Sequence, residues 1–259
     1  MGVTRYDIIE DTFQPEKSAS YELSILAGMD SSSYLLLDQN KTVLGLRGFT
    51  HEPAEQWWSK DSYLQHTYQK IRVASLGQKF TLVPDRLFNP DERQQYLQDL
   101  TNLTTEEAVI ADLIPELDVV LVYAHNEKRL ADWRRNFVAI RFYHVLTPLL
   151  KQLAQHASTS GLPTMYAYIR DGYLFVVGLD RNKLQFCNVF VCKAAKDFLY
   201  YLLLAYEQCG WKTNKVALKL FGEVVAEAEI YKLFYRYIKD VEFLKDESSV
   251  KWGDKTGTS

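Results

Sequence analysis

Three short segments carry residue types that could grip a phosphate and a divalent cation. In Gly28-Met29-Asp30-Ser31-Ser32-Ser33 a carboxylate precedes three hydroxyls. Such a carboxylate suits a magnesium ion with its waters, and the hydroxyls suit phosphate oxygens. In Arg170-Asp171-Gly172-Tyr173-Leu174 the aspartate could orient a water, and the glycine would let backbone N–H groups approach an oxyanion. Leu220-Phe221-Gly222-Glu223 supplies a third turn with a single glycine. Each segment also has a plain structural reading. Asp-Gly is the signature of a type I′ hairpin turn, and a lone glycine after an apolar strand is an ordinary strand-to-helix turn.

Other chemistries find less support. The chain contains no GxxxxGK[ST] phosphate loop and no GxGxxG. His51, His66, His125, His144 and His156 form no HExxH and no close pair with a cysteine, so no zinc site is expected. Cys187, Cys192 and Cys209 are odd in number and make no CxxC, which predicts free thiols in a reducing compartment. Cys187 and Cys192 lie in a strand-like apolar stretch, where thiols are usually inert.

The chain has 259 residues, 47% hydrophobic, 24% charged and 14% aromatic, and reads as a globular protein long enough for two modest domains. A net charge of −3 gives no general pull toward nucleic acid or anionic lipid. The N-terminus lacks the apolar region of a secretory signal, and the longest apolar run, Phe198–Tyr206, is too short to cross a bilayer. The expectation is a cytoplasmic protein that binds no nucleic acid and inserts in no membrane.

Stepping from residues to elements, positions 1–19 are polar and predict a loosely held lead-in. Alternation and Val/Leu/Tyr content predict strands at about 21–28, 33–37 and 42–49, then a helix over Ala54–Gln69 with Trp57, Trp58 and Leu64 on its buried face. Strands follow at Ile71–Leu76, Lys79–Val83, Glu107–Ile114 and Val119–His125, then helices at Glu127–Phe137 and Phe142–Ala157. Thr164–Val191 forms a second three-strand meander, with turns at Asp171-Gly172 and Asp180–Asn182. A helix at Ala194–Cys209, a strand at Lys215–Leu220, a helix at Val224–Tyr237 and a strand at Val241–Leu244 complete the order.

A meander running into a helix therefore occurs twice, at Tyr21–Phe49 and at Thr164–Val191. Meanders demand antiparallel pairing, whereas the later strands need helical crossovers, so each sheet should be mixed. The expected fold class is α/β with mixed sheets, a duplicated actin-like ATPase (ribonuclease H-like) fold. Its lobes are expected at 15–140 and 141–245, with a mobile tail at 246–259.

In such a fold ATP lies between the lobes, its phosphates held by the first turn of each meander. Asp30 would position Mg²⁺, Ser31, Ser32 and Ser33 would contact phosphate, and Asp171 would orient the attacking water or acceptor. Gly172 and Gly222 would allow backbone approach to phosphate and adenine, with Glu223 in the same third turn. The chain departs from that pattern. Ser32 stands where Asp-x-Gly-Thr/Ser needs glycine, Tyr173 and Leu174 replace glycine and hydroxyl residues, and the third turn has one glycine instead of two. Each lost charge-assisted bond forfeits roughly 1.5–3 kcal/mol, enough together to remove most nucleotide affinity.

The meander YELSILAGMDSSSYLLLD, the segment FTLVPDRLF and the run LQFCNVFVCKAAKDFLYYLLLAYEQ…VALKLFGEV resemble an uncharacterised family of Bacteroidetes proteins over about residues 15–245. The resemblance implies an actin-like ATPase fold, similar to the cytoplasmic assembly proteins of type IV pili and type II secretion. The expectation is a non-catalytic binding or assembly module with no cofactor, acting on a protein partner or by self-association. The alternative is an ATP- and Mg²⁺-dependent ATPase, phosphotransferase or nucleotide-gated switch.

Overall fold

A computed structural model describes residues 4–28, 31–51 and 57–244. Its strands are β1 (Thr4–Ile9), β2 (Glu22–Ala27), β3 (Ser31–Leu37), β4 (Val43–Thr50), β5 (Lys70–Ser75), β6 (Phe80–Pro84), β7 (Glu107–Ile114), β8 (Val119–Asn126), β9 (Ile140–His144), β10 (Thr164–Arg170), β11 (Tyr173–Asp180), β12 (Lys183–Val191), β13 (Ala217–Gly222) and β14 (Val241–Phe243). The helices are α1 (Gln95–Gln98), α2 (Glu127–Asn136), α3 (Leu146–Ser160), α4 (Ala195–Gln208) and α5 (Glu229–Tyr237).

The duplication is visible in the sheets. The first runs β1-β4-β3-β2-β5-β9 and the second β12-β11-β10-β13-β14. Apart from β1, each is an antiparallel meander whose first strand pairs in parallel with a later strand, which in turn pairs in parallel with another. β2 alternates between half-buried and buried residues, whereas β11, sandwiched on both faces, is buried at all but its ends. Crossover helices close the parallel pairs. Asp197 starts α4 by accepting from the backbone N–H groups of Lys193 at 2.8 Å and Ala194 at 3.0 Å. The Asn126 side chain caps α2 by accepting from the Arg129 N–H at 2.9 Å.

A third sheet, β6-β8-β7, is inserted between β5 and β9. One of its faces joins α3 and the inner face of the second sheet in a shared core that includes Ile114, Leu121, Leu146, Leu150, Tyr166 and Phe175. The opposite face, with Val120 and Val122, packs on Leu97 of α1.

Four expectations change. The lead-in contains β1, which adds a sixth strand by pairing with β4, because Thr4–Ile9 can satisfy an open sheet edge. The helix expected at Ala54–Gln69 is two 3-10 turns, Trp57–Ser59 and Ser62–Gln65, while residues 52–56 lie outside the described residues. The start expected for the helix at Phe142–Ala157 is β9, since Ile140–His144 pairs with β5, and α3 begins at Leu146. β9 thus places residues 141–144 in the first sheet, beyond the expected lobe boundary. The helix expected from Val224 begins at Glu229. The tail 246–259 lies outside the described residues.

Trp57, Trp58 and Trp133 are core, not surface: Trp58 stacks on Trp133 with centroids 4.3 Å apart, and all three are buried. No described helix is long and apolar enough to cross a membrane.

Candidate functional site at the junction of the two hairpins

Both meanders turn at the carboxyl ends of the parallel strands β2 and β10, and β13 ends beside them. This end of an open α/β sheet is where ligands bind. The sequence places Ser31, Ser33, Asp171 and Glu223 there, and the structure brings all four together. Asp30 lies outside the described residues.

The second hairpin explains why Asp171 points where it does. Asp171 and Gly172 have φ of 49° and 74°, the left-handed pair that a type I′ turn requires. The turn projects Asp171 toward the first hairpin, which is closed by the Gly28 N–H donating to the Ser31 carbonyl at 2.8 Å. Ser31 Oγ donates to Asp171 Oδ2, and Arg5 Nη1 donates to Asp171 Oδ1. Arg170 Nε lies 3.2 Å from Asp171 Oδ2, and its Nη2 donates to Ser33 Oγ at 3.2 Å. Glu223 closes the ring: its Oε1 is 3.3 Å from Arg5 Nη1, and its Oε2 accepts from the Asp171 N–H at 3.2 Å.

Two guanidiniums and two carboxylates thus neutralise one another across the seam. The Asp171 side chain is only 5% exposed, and both its oxygens are occupied by protein groups. Burial by itself would lower the pKa of Arg170, but Tyr168, Asp171 and Glu223 outweigh it and hold the cation.

The three serines do not act as a unit. Successive strand residues face opposite sides, so Ser31 and Ser33 face the second hairpin while Ser32 turns away. Ser32 Oγ lies 2.8 Å from Nε2 of buried His51, whose ring stacks on Trp57.

The glycines serve the backbone. A Cβ on Gly222, at φ 96°, would stand 2.2 Å from the Ile169 carbonyl and 2.8 Å from the Tyr168 ring. Glycine is required there by the close pass of β13 against β10, where Glu223 N–H donates to Ile169 O at 2.7 Å. At Gly172 the carbonyl accepts from Cys192 N–H at 2.7 Å, tying the turn to the end of β12.

Aromatic side chains occupy the space below. Tyr168 stacks on Phe221 with centroids 5.2 Å apart, and both, with Tyr173, pack against the core that also takes Leu26 and Leu76 of the first sheet. Two members of the network were missed from sequence. Arg5 sits in the polar lead-in, although Thr-Arg-Tyr-Asp-Ile-Ile alternates as a strand does; Arg170 directly precedes Asp171, where strand alternation turns it toward the first hairpin.

Residues 10–241 match the family described as "Protein of unknown function (DUF3822)". Among curated proteins, a sequence search finds no match. The structure is similar to that of a Bacteroides thetaiotaomicron protein with an actin-like ATPase fold and unknown function, with TM-score 0.80 and 18% identity over 90% of this chain and 94% of that one. It is also similar to a structure of the PilM-PilN type IV pilus biogenesis complex, with TM-score 0.60 and 12% identity over 92% of each chain. At these identities the likeness establishes the fold: an actin-like ATPase fold in two lobes.

Proposed function

The chain belongs to the DUF3822 family of proteins of unknown function, and from that premise we propose that it is a non-catalytic binding or assembly module that has kept an actin-like fold without its nucleotide. One observation carries this reading: the carboxylate expected to orient the attacking water or acceptor, Asp171, is engaged by Ser31, Arg5 and Arg170. A phosphate arriving there would meet the buried carboxylate of Asp171 and the exposed one of Glu223, with both guanidiniums already paired to them. Asp171, Ser31 and Ser33 are in this reading clasp residues that hold the hairpins together. Ser32, Gly172, Gly222 and Glu223 serve the local fold and the same clasp.

A fold with two lobes and a sealed cleft retains its outer surfaces for proteins. One structural neighbour belongs to a two-protein complex, which supports a protein partner or self-association here, in the cytoplasm. Titration calorimetry with ATP and Mg²⁺ tests the reading. The expected result is no saturable heat, meaning a Kd weaker than about 1 mM, or roughly −4 kcal/mol. Saturable binding that disappears in Asp30→Ala would overturn it in favour of an ATP-dependent enzyme or switch.

A further inference from the structure

Beside the inserted sheet runs a groove of about 710 Å³, within the size range of ligand sites. Three pieces line it: β7, the segment Phe88–Arg93, and the outer side of α2. β7 is an edge strand. β8 pairs with it on one side, and among the described residues no strand pairs with the other. Among the described residues no backbone hydrogen bond beyond that ladder engages Ala108–Ala111. An edge of this kind, half-buried and carrying Ala108, Val109, Ile110 and Ala111, is a template for one more strand.

The lining also has a charge preference. Arg93 and Arg134, from two different pieces, are exposed and make no ion pair or hydrogen bond with a described residue, against the single carboxylate of Glu127. Three other arginines pair with carboxylates: Arg47 with Asp7 and Asp61, Arg72 with Glu22, Arg135 with Asp132. Apolar footing comes from Phe88 and Leu130.

We propose that this groove takes an extended acidic segment of a partner protein, added as a fourth strand to the free edge of β7. Its backbone would bond the outward N–H and C=O groups of Ala108–Ala111. Apolar side chains would rest on Phe88 and Leu130, and carboxylates would meet Arg93 and Arg134. The inference rests on the reading of the chain as a binding module and names the chemistry of its partner.

The test pans a displayed library of random dodecapeptides on the full chain and measures selected peptides by fluorescence anisotropy. Selected sequences should alternate apolar residues with Asp or Glu. Ala131→Trp, which fills the groove from an exposed position on α2, should weaken binding at least tenfold. So should Arg93→Glu with Arg134→Glu, which reverses the charge without adding bulk and keeps the test alive if the tryptophan disturbs folding. Hydrogen exchange at Ala108–Ala111 should slow on adding peptide.

The proposal is overturned if no peptide is selected, if binding survives both variants, or if exchange in β7 is unchanged in the complex. A concentration-dependent dimer that Ala131→Trp breaks would also overturn it, by making a second copy the occupant. These outcomes are separable from the nucleotide titration: saturable ATP binding would remove the non-catalytic reading, whereas the peptide series judges the groove alone.

Discussion

The hairpin junction and the β7 groove treat charge in opposite ways. At the junction Arg5, Arg170, Asp171 and Glu223 satisfy one another inside a seam closed by Ser31 and Ser33. At the groove Arg93 and Arg134 stand exposed without a carboxylate partner among the described residues. The first arrangement ties the two hairpins and β1 to one another. The second adds little to stability and leaves cations for something else.

The largest effect should come from breaking the junction. Asp171→Ala leaves Arg170 buried without a carboxylate, and stability in urea should fall by about 3–5 kcal/mol. Adding Arg170→Met should recover much of that loss, since removing both members of a buried pair is far cheaper than removing one. A loss under 1 kcal/mol in the single variant would mean that the clasp is not structural.

The next concerns the seam between the first sheet and the insertion. His144 is buried at the end of β9, with Nε2 3.0 Å from the Gly77 carbonyl and Nδ1 accepting from the Leu146 N–H at 3.2 Å. Burial pushes its pKa down from 6.5 to about 4. The neutral ring is therefore what the fold favours. Its contribution is full above pH 6.5 and is lost as pH falls from 6.5 to about 4, by roughly 3 kcal/mol over that interval. Denaturation of wild type against His144→Gln across that range should show the excess slope in wild type only.

Gly222→Ala should cost about 2 kcal/mol, through its left-handed φ and the contact with Ile169 O, without bearing on any ligand. Thermal melts measure it directly. The smallest effect belongs to the groove: Arg93→Ala and Arg134→Ala should each stay within about 0.5 kcal/mol of wild type. A larger loss there would erase the contrast between the two regions.

Much of the architecture was legible because local pattern and long-range pairing agree. Asp171-Gly172 reads as a type I′ turn and is one, and the two meanders are found with matching strand orders. The helix expected at Glu127–Phe137 likewise starts at Glu127, capped by Asn126. The failures occurred where tertiary partners overrode local preference. The helix expected at Ala54–Gln69 resolves at its described end into 3-10 turns that bury Trp57 and Trp58 against Trp133, a residue far along the chain. Phe142 and Tyr143 look helical beside Leu146, but the open edge of β5 draws them into a strand.

The candidate site was half legible for the same reason. Residue types at Ser31, Ser33, Asp171 and Glu223 pointed to one place, but Ser32 was grouped with its neighbours although strand alternation turns it to the other face. That Arg5 would reach across from the first strand of the chain to Asp171 depends on β1 docking at the far edge of the first sheet, which no spacing within Thr4–Ile9 reveals.

By itself the sequence determined the duplicated meanders, the hairpin turns and the erosion of the phosphate pattern, because each is written in neighbours a few residues apart. Only the tertiary structure decided what the surviving Asp171 carboxylate does. Its two hydrogen-bond donors from elsewhere lie 140 and 166 positions away in the chain, and whether a charge is vacant or satisfied is settled by what folding sets beside it.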